Sequence, residues 1–350
     1  MRLLSFIITL SVATILFGCE RQSADRQNWV QTILDSYKDS LQSYGIVALV
    51  DSGTRKYTAS VGFSYNKTPI NTNNRFCIGS CTKMYTATLV LKLQEQGRLH
   101  INDSIYHYLP RHRYIDSTIT IRQLLNHTSG LTDFAKNDFI NTPLFEPFGD
   151  YSDSRILSLL DTIDFEKGNR YRYCNTNYFL LRKIIERATD KPYESVLQEN
   201  IIEPLGLKNT FPYYSNKIES LAHPIIDGQD LQDIPKVGIN TISKGIGNIV
   251  SDIYDVNKFI RALLIDKTVL QPASLALMSD FYQFKSTKAG LGLFEENHAG
   301  SNLWGHTGRQ TSYISFAFVD AKTGQSFVIL TNNANDEYGD RILNRLCSRK

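Results

Sequence analysis

The sequence lacks the features that would mark a nucleic-acid binder, a zinc protein or a membrane-spanning chain. Its 38 basic and 35 acidic side chains leave a formal charge of +3, with no basic run and no acidic tail. The electrostatic footprint of a nucleic-acid partner is therefore missing. Five cysteines include no Cys-x-x-Cys pair, which argues against a structural zinc site. His100, His107 and His112 have no metal-like helical pairing and read as solvated surface. No metal or other cofactor is expected. Neither an internal repeat nor a low-complexity linker interrupts the chain, and its apolar and aromatic content is ample for a globular core.

The one sustained apolar run, Leu3 to Phe17, is short for a membrane span. It follows Arg2 and ends at Gly18-Cys19, the pattern of an export signal. A small residue before cysteine resembles a bacterial lipobox, which implies cleavage before Cys19 and lipidation of its thiol. The expected organisation is a signal peptide over 1–18, a lipid-anchored tether over 19–28 and a catalytic domain over 29–350. Such a protein is exported and membrane-anchored, facing the periplasm or the cell surface. Removing 1–18 deletes one arginine and no acid, so the charge falls from +3 to +2. Cys77, Cys81, Cys174 and Cys347 then remain. An oxidising compartment permits disulfides among them, in three full pairings. Buried thiols are the simpler reading, and the disulfide state stays open.

Trp29 to Leu41 carries a helical pattern; Ile46 to Val50 and Tyr57 to Phe63 read as a hairpin about Asp51-Ser52-Gly53. Helical patterns dominate the middle, among them Ile121 to Leu125, Tyr151 to Leu160, Tyr178 to Ala188, Tyr193 to Ile202 and Asp252 to Leu264. Strand signals return at Tyr313 to Val319 and Phe327 to Thr331, and a helix from about Asp336 to Cys347 closes the chain. This distribution predicts an α/β (α+β) fold. One antiparallel sheet flanked by helices is built from the N- and C-terminal segments, about 29–95 and 285–350, with an all-helical insertion over about 96–284. A cleft between the two parts is a natural active site.

Gly79-Ser80-Cys81-Thr82-Lys83 opens an amphipathic helix after the apolar Phe76-Cys77-Ile78. Ser80 then sits at a helix N-terminus with Lys83 one turn on, along the same face. A serine becomes a nucleophile when a neighbouring base takes its proton, and a lysine held neutral does so. Ser-x-x-Lys arises by chance about once in a chain of this length, and Ser64-Tyr65-Asn66-Lys67 also matches. That copy runs into Thr68-Pro69 and reads as a turn with no helix to fix its register. Tyr173-x-Asn175 supplies a phenol and a carboxamide, with a rival at Tyr214-x-Asn216. His306-Thr307-Gly308 offers a glycine for close approach to the nucleophile, with the Arg309 N–H as second oxyanion donor beside that of Ser80. Its rival, Lys322-Thr323-Gly324, falls in the turn after the Tyr313 strand and is explained as a solvated loop.

In this order, Ser80-x-x-Lys83, Tyr173-x-Asn175 and His306-Thr307-Gly308 resemble the serine β-lactamase and D,D-peptidase superfamily, in its class C-like branch. Leu124 to Leu131, Pro204 to Leu207, Gly245 to Asp252 and Val328 to Asn332 match as well. The resemblance spans about residues 40 to 345 and implies the β-lactamase/transpeptidase-like fold. It also implies roles. Ser80 is the nucleophile, Lys83 its proton acceptor, and Tyr173 the shuttle to the leaving group; which of Lys83 and Tyr173 is the acylation base stays open. Asn175 hydrogen-bonds Lys83 and a substrate amide, and His306 and Thr307 line the substrate strand. His127 is expected to be structural, and Cys81 and Cys174, each inside a motif, are expected to be small buried fillers that face each other. Arg309 and Ser312 stand where the family commonly has small residues; Arg309 either binds a substrate carboxylate or narrows the cleft.

The expected activity is a serine hydrolase working through an acyl-enzyme on a small peptide, amide or ester. Histidine in place of lysine before Thr307 favours D,D-carboxypeptidase-like, D-amino-acid-peptidase-like or esterase-like members. A class C-like β-lactamase is the alternative within the family. A non-catalytic β-lactam- or peptidoglycan-binding sensor lipoprotein is the alternative outside catalysis.

Overall fold

The computed structural model describes residues 29–41, 43–135, 142–162, 165–168, 170–285, 287–310, 312–333 and 336–349. The expected signal peptide, Cys19 and the tether lie outside them. A short helix, α1 (Trp29–Asp35), precedes the strands β1 (Gly45–Asp51), β2 (Lys56–Tyr65), β3 (Thr68–Pro69) and β4 (Arg75–Cys77). The long helix α2 (Thr82–Glu95) follows, then a mostly helical region that contains α3 (Asn175–Thr189), the small hairpin β5 (Ile225–Ile226) and β6 (Gln229–Asp230), the strand β7 (Val250–Asp252) and α4 (Ile253–Leu264). Six strands and a helix complete the chain: β8 (Tyr282–Phe284), β9 (Thr287–Ala289), β10 (Phe294–His298), β11 (Ser301–Gln310), β12 (Tyr313–Asp320), β13 (Gln325–Thr331) and α5 (Asp336–Cys347).

Nine strands form one antiparallel sheet in the order β3-β2-β1-β13-β12-β11-β10-β9-β8. Every residue of β1 is buried because the sheet is covered on both faces. Its side chains alternate between two cores, as the two-residue period of a strand requires. Ile46, Ala48 and Val50 meet Val30, Leu34, Ile342 and Leu346 of α1 and α5. Val47 and Leu49 join the larger core with α2, α3 and α4. Helix α2 is buried without interruption from Thr82 to Leu91, which suits a central helix wrapped on all sides. It stops at Gly97, whose φ of +68° no branched residue takes easily. There the Gly97 N–H donates to the Gln94 carbonyl and that of Arg98 to Leu93, a Schellman closure.

Several sequence expectations need correction. The Trp29 helix ends at Asp35, and only a single 3₁₀ turn, Lys38–Ser40, continues it. The boundary between sheet and insertion is not near 284: α4 packs on β13, β12 and β1, and β7 pairs with β4. Strand β11 carries a weak sequence signal because it is interrupted by Gly305 and Gly308. A Cβ at either would sit 2.0 Å from a backbone oxygen, of Ala317 or of Ile78 respectively. Close packing demands the very residues that erase the strand pattern.

Candidate active site

Ser80 lies on a 3₁₀ turn, Gly79–Cys81, that runs directly into α2, so it stands just before the α-helix rather than in its first turn. The turn is wedged between two other segments. Gly79 has φ +51°, and a Cβ there would lie 2.6 Å from the backbone nitrogen of Arg309 on β11. On the far side, the Ile78 N–H donates to the Ile249 carbonyl at 2.9 Å, and that of Ile249 to the Thr82 hydroxyl at 3.3 Å. The backbones of Ser80 and Arg309 are thereby brought side by side.

Lys83 reaches back one helical turn, and its amine is fully buried. Nζ lies 2.9 Å from Ser80 Oγ, 3.0 Å from Asn175 Oδ1 and 3.1 Å from the Ile246 carbonyl. Burial removes the water that would stabilise an ammonium and lowers the pKa of Lys83 to about 7. The charge of Asp133, foremost among its neighbours, opposes this shift only in part. Asp133 also orients Asn175: the carboxamide Nδ2 donates to Asp133 Oδ2 at 3.1 Å, which turns Oδ1 toward the lysine.

Cys174 is extended, but α3 begins at Asn175, three residues earlier than the sequence pattern indicates. The Tyr173 ring lies 4.9 Å from Lys83 Nζ, and its hydroxyl hydrogen-bonds Ser80. Burial raises its pKa well above that of an ordinary phenol, the Ser80 bond only moderating the rise. His127 fixes this tyrosine from behind. Its carbonyl accepts from the Arg172 N–H at 3.0 Å, its Nδ1 from the Cys174 N–H at 3.1 Å, and its ring packs tilted by 32° against that of Tyr173, with centroids 4.6 Å apart. The expected structural histidine thus braces a residue of the site.

His306 is buried, and desolvation followed by the nearby Lys83 lowers its pKa to about 3, so it is neutral at physiological pH. Its Nδ1 contacts the Thr307 carbonyl. Ser80, Tyr173, His306, Thr307, Gly308 and Arg309 all line one cavity of about 580 Å³, while Lys83 and Asn175 sit behind its wall. Cys81 and Cys174 do not face each other: Cys81 Sγ donates to the His306 carbonyl at 3.1 Å and Cys174 Sγ to that of Leu131 at 3.4 Å. Cys77, Cys81, Cys174 and Cys347 are buried thiols in no disulfide.

The rival motifs lie elsewhere. Ser64 is a residue of strand β2 and Lys67 lies in the β2–β3 turn, where Asn66 and Lys67 have positive φ. Tyr214 is a core residue whose hydroxyl meets that of Tyr313 at 3.4 Å, and Lys322 to Gly324 lie in the turn between β12 and β13.

A family model described as Beta-lactamase matches residues 30–346. The chain belongs to the beta-lactamase family. Penicillin-binding protein 4* of Bacillus subtilis (strain 168) is 30% identical over 201 residues, which are 54% of this chain and 42% of that protein. This beta-lactamase-family chain thus aligns with less than half the length of that relative. Among solved structures, the D-stereospecific amidohydrolase from Streptomyces sp. superposes with a TM-score of 0.78 at 26% identity, covering 89% of this chain and 96% of its own. The D-amino acid amidase from Ochrobactrum anthropi SV3, complexed with D-phenylalanine, gives a TM-score of 0.77 at 25% identity, covering 93% and 100%.

Asp133 is the polar residue that the sequence motifs missed, and its charge makes a signed prediction. That carboxylate favours the charged form of Lys83, so Asp133→Asn lowers the lysine pKa further. The acid limb of the kcat/KM–pH profile should move to lower pH. Loosened aim of Asn175 should also reduce the plateau by about tenfold. Steady-state kinetics between pH 4 and 9 check both, and an acid limb that stays in place or moves upward contradicts the assignment.

Proposed function

We propose that this protein is an exported, lipid-anchored hydrolase of D-configured amides or peptides that acylates Ser80. The observation that carries this reading is the buried Lys83 amine 2.9 Å from Ser80 Oγ. A neutral amine has two hydrogens and one lone pair. Asn175 Oδ1 and the Ile246 carbonyl accept only, so they take the two hydrogens and leave the lone pair aimed at the serine proton. Tyr173, with its pKa raised, stays a protonated phenol at neutral pH. That division makes Lys83 the acceptor in acylation and Tyr173 the relay to the leaving group.

Ser80 Oγ attacks the substrate carbonyl carbon as its proton moves to Lys83 Nζ. The carbonyl π bond opens toward an oxyanion held by the N–H groups of Ser80 and Arg309. Collapse breaks the scissile bond, and the proton reaches the departing nitrogen or oxygen by way of Tyr173. Water then repeats the sequence on the acyl-enzyme. Two observations support D-amides over β-lactams as substrates. The two solved relatives are D-specific amidohydrolases by name, and His306 is neutral where a lysine would present a charge. Gly18-Cys19 supports the anchor.

Intact-mass spectrometry after exposure to a D-amino-acid amide, a D-Ala-D-Ala peptide, a penicillin and an activated ester should show an acyl adduct on the peptide holding Ser80, or turnover of the amide or peptide. Ser80→Ala and Lys83→Ala should each reduce turnover at least about 10³-fold, whereas Ser64→Ala should leave it unchanged. Full activity in Ser80→Ala, or rapid turnover of penicillin alone, defeats the proposal. The anchor is tested separately by fractionation. Cys19→Ser should move the exported protein from the membrane to the soluble fraction, and unchanged membrane association rules out lipidation at Cys19.

A further inference from the structure

The cavity extends past the reacting groups. Beyond Tyr173 it continues into a recess lined by Tyr171, Phe294, Thr287 and Glu296. Phe294 and Glu296 are two residues apart on β10, so their side chains leave the sheet on the same face. Both side chains line the cavity, and the Phe294 ring lies 4.8 Å from that of His306 and 6.3 Å from that of Tyr173. Tyr171 meets Phe294 edge-on, at 6.3 Å and an interplanar angle of 89°, and Phe284 flanks Tyr171 at 5.9 Å.

Glu296 places a carboxylate in this aromatic corner. His298 Nε2, on a largely buried ring, lies 3.1 Å from Oε2 and holds that oxygen in position. Among the described residues Oε1 makes no hydrogen bond. Among the described residues lining the cavity, Arg309 is the one lysine or arginine, and it stands farther along β11, opposite Ile314. A carboxylate with an oxygen to spare, beside aromatic faces, matches a cation in charge and surface together.

We infer that this recess binds an amine or quaternary ammonium on the leaving group of the substrate, with Glu296 as counter-ion and Tyr171 and Phe294 as aromatic walls. The inference rests on the acyl-enzyme reading above for its orientation: Tyr173 hands a proton to the leaving group, and the recess opens on the Tyr173 side of Ser80. It gives the site a preference that neither the fold nor the three motifs specify. A leaving group ending in a carboxylate is repelled by Glu296, and a cationic one is drawn in.

The test compares S-acetylthiocholine with S-(3,3-dimethylbutyl) thioacetate, an isostere in which carbon replaces the charged nitrogen. Thiol release by the full enzyme should show a kcat/KM at least about tenfold higher for the cationic ester, the scale of a desolvated cation–π contact joined to an ionic one. In Glu296→Gln the ratio should fall to about one while the neutral ester keeps its wild-type value. A wild-type ratio at or below one, a ratio unchanged in Glu296→Gln, or equal losses on both esters overturns the proposal. If neither ester is turned over, acetyl thioesters are not substrates, the D-amide reading stands or falls on its own test above, and equilibrium binding decides the recess. Calorimetry on Ser80→Ala with acetylcholine and 3,3-dimethylbutyl acetate should then show a cationic preference that Ser80→Ala/Glu296→Gln loses. Equal binding of the two esters to Ser80→Ala rejects it.

Discussion

A lysine amine is held out of water, one helical turn from a serine, and the chemistry of this protein depends on that placement. Burying an ammonium is expensive, and the cost appears as a proton held less firmly. Acceptors alone would favour the charged form. Here the fold supplies two of them, Asn175 Oδ1 and the Ile246 carbonyl, and makes the third contact a hydroxyl that can donate. The pKa of about 7 is the balance of that desolvation against the partial support of Asp133. A lysine left in solvent at its ordinary pKa of about 10.4 would be protonated and inert as a base.

Around this contact the molecule brings together segments far apart in the chain. The 3₁₀ turn Gly79–Cys81 carries the serine, α2 directly after it the lysine, and α3 begins with the asparagine. The segment leading to β7 supplies a backbone carbonyl, and β11 closes the other side. Glycines at 79 and 308 let the nucleophile turn and β11 approach until any added Cβ would collide with backbone. The sheet therefore does more than scaffold the site, since its buried strands fix where the Arg309 backbone stands relative to Ser80. His127 extends the same logic to Tyr173, holding it through backbone bonds on either side and through its own ring.

Much of this was legible in the sequence where local pattern and chemistry coincide. The hairpin of β1 and β2, the helix from Thr82 with its stop at Gly97, and the closing helix α5 follow from periodicity and end signals. The rival copies at Ser64, Tyr214 and Lys322 were separable because a turn or a misplaced segment explained each. What stayed hidden depends on tertiary contact. The glycines of β11 break the strand pattern for reasons that lie in Ile78 and Ala317. Asp133 is one acid among 35 acidic residues until folding sets it beside Asn175. The sheet-packing role of α4 is equally invisible, since an amphipathic helix reads the same against a sheet or against other helices.

The most direct measurement is the protonation midpoint of Lys83 itself. Lysine labelled with carbon-13 and nitrogen-15 allows the side-chain ammonium to be titrated by NMR, with Lys83→Met identifying the resonance. A midpoint near pH 7, with the other lysine signals of the comparison spectrum in place, is the predicted result. A Lys83 midpoint at or above about pH 10, the range of a solvated lysine, would contradict the assignment of its amine as the base that activates Ser80.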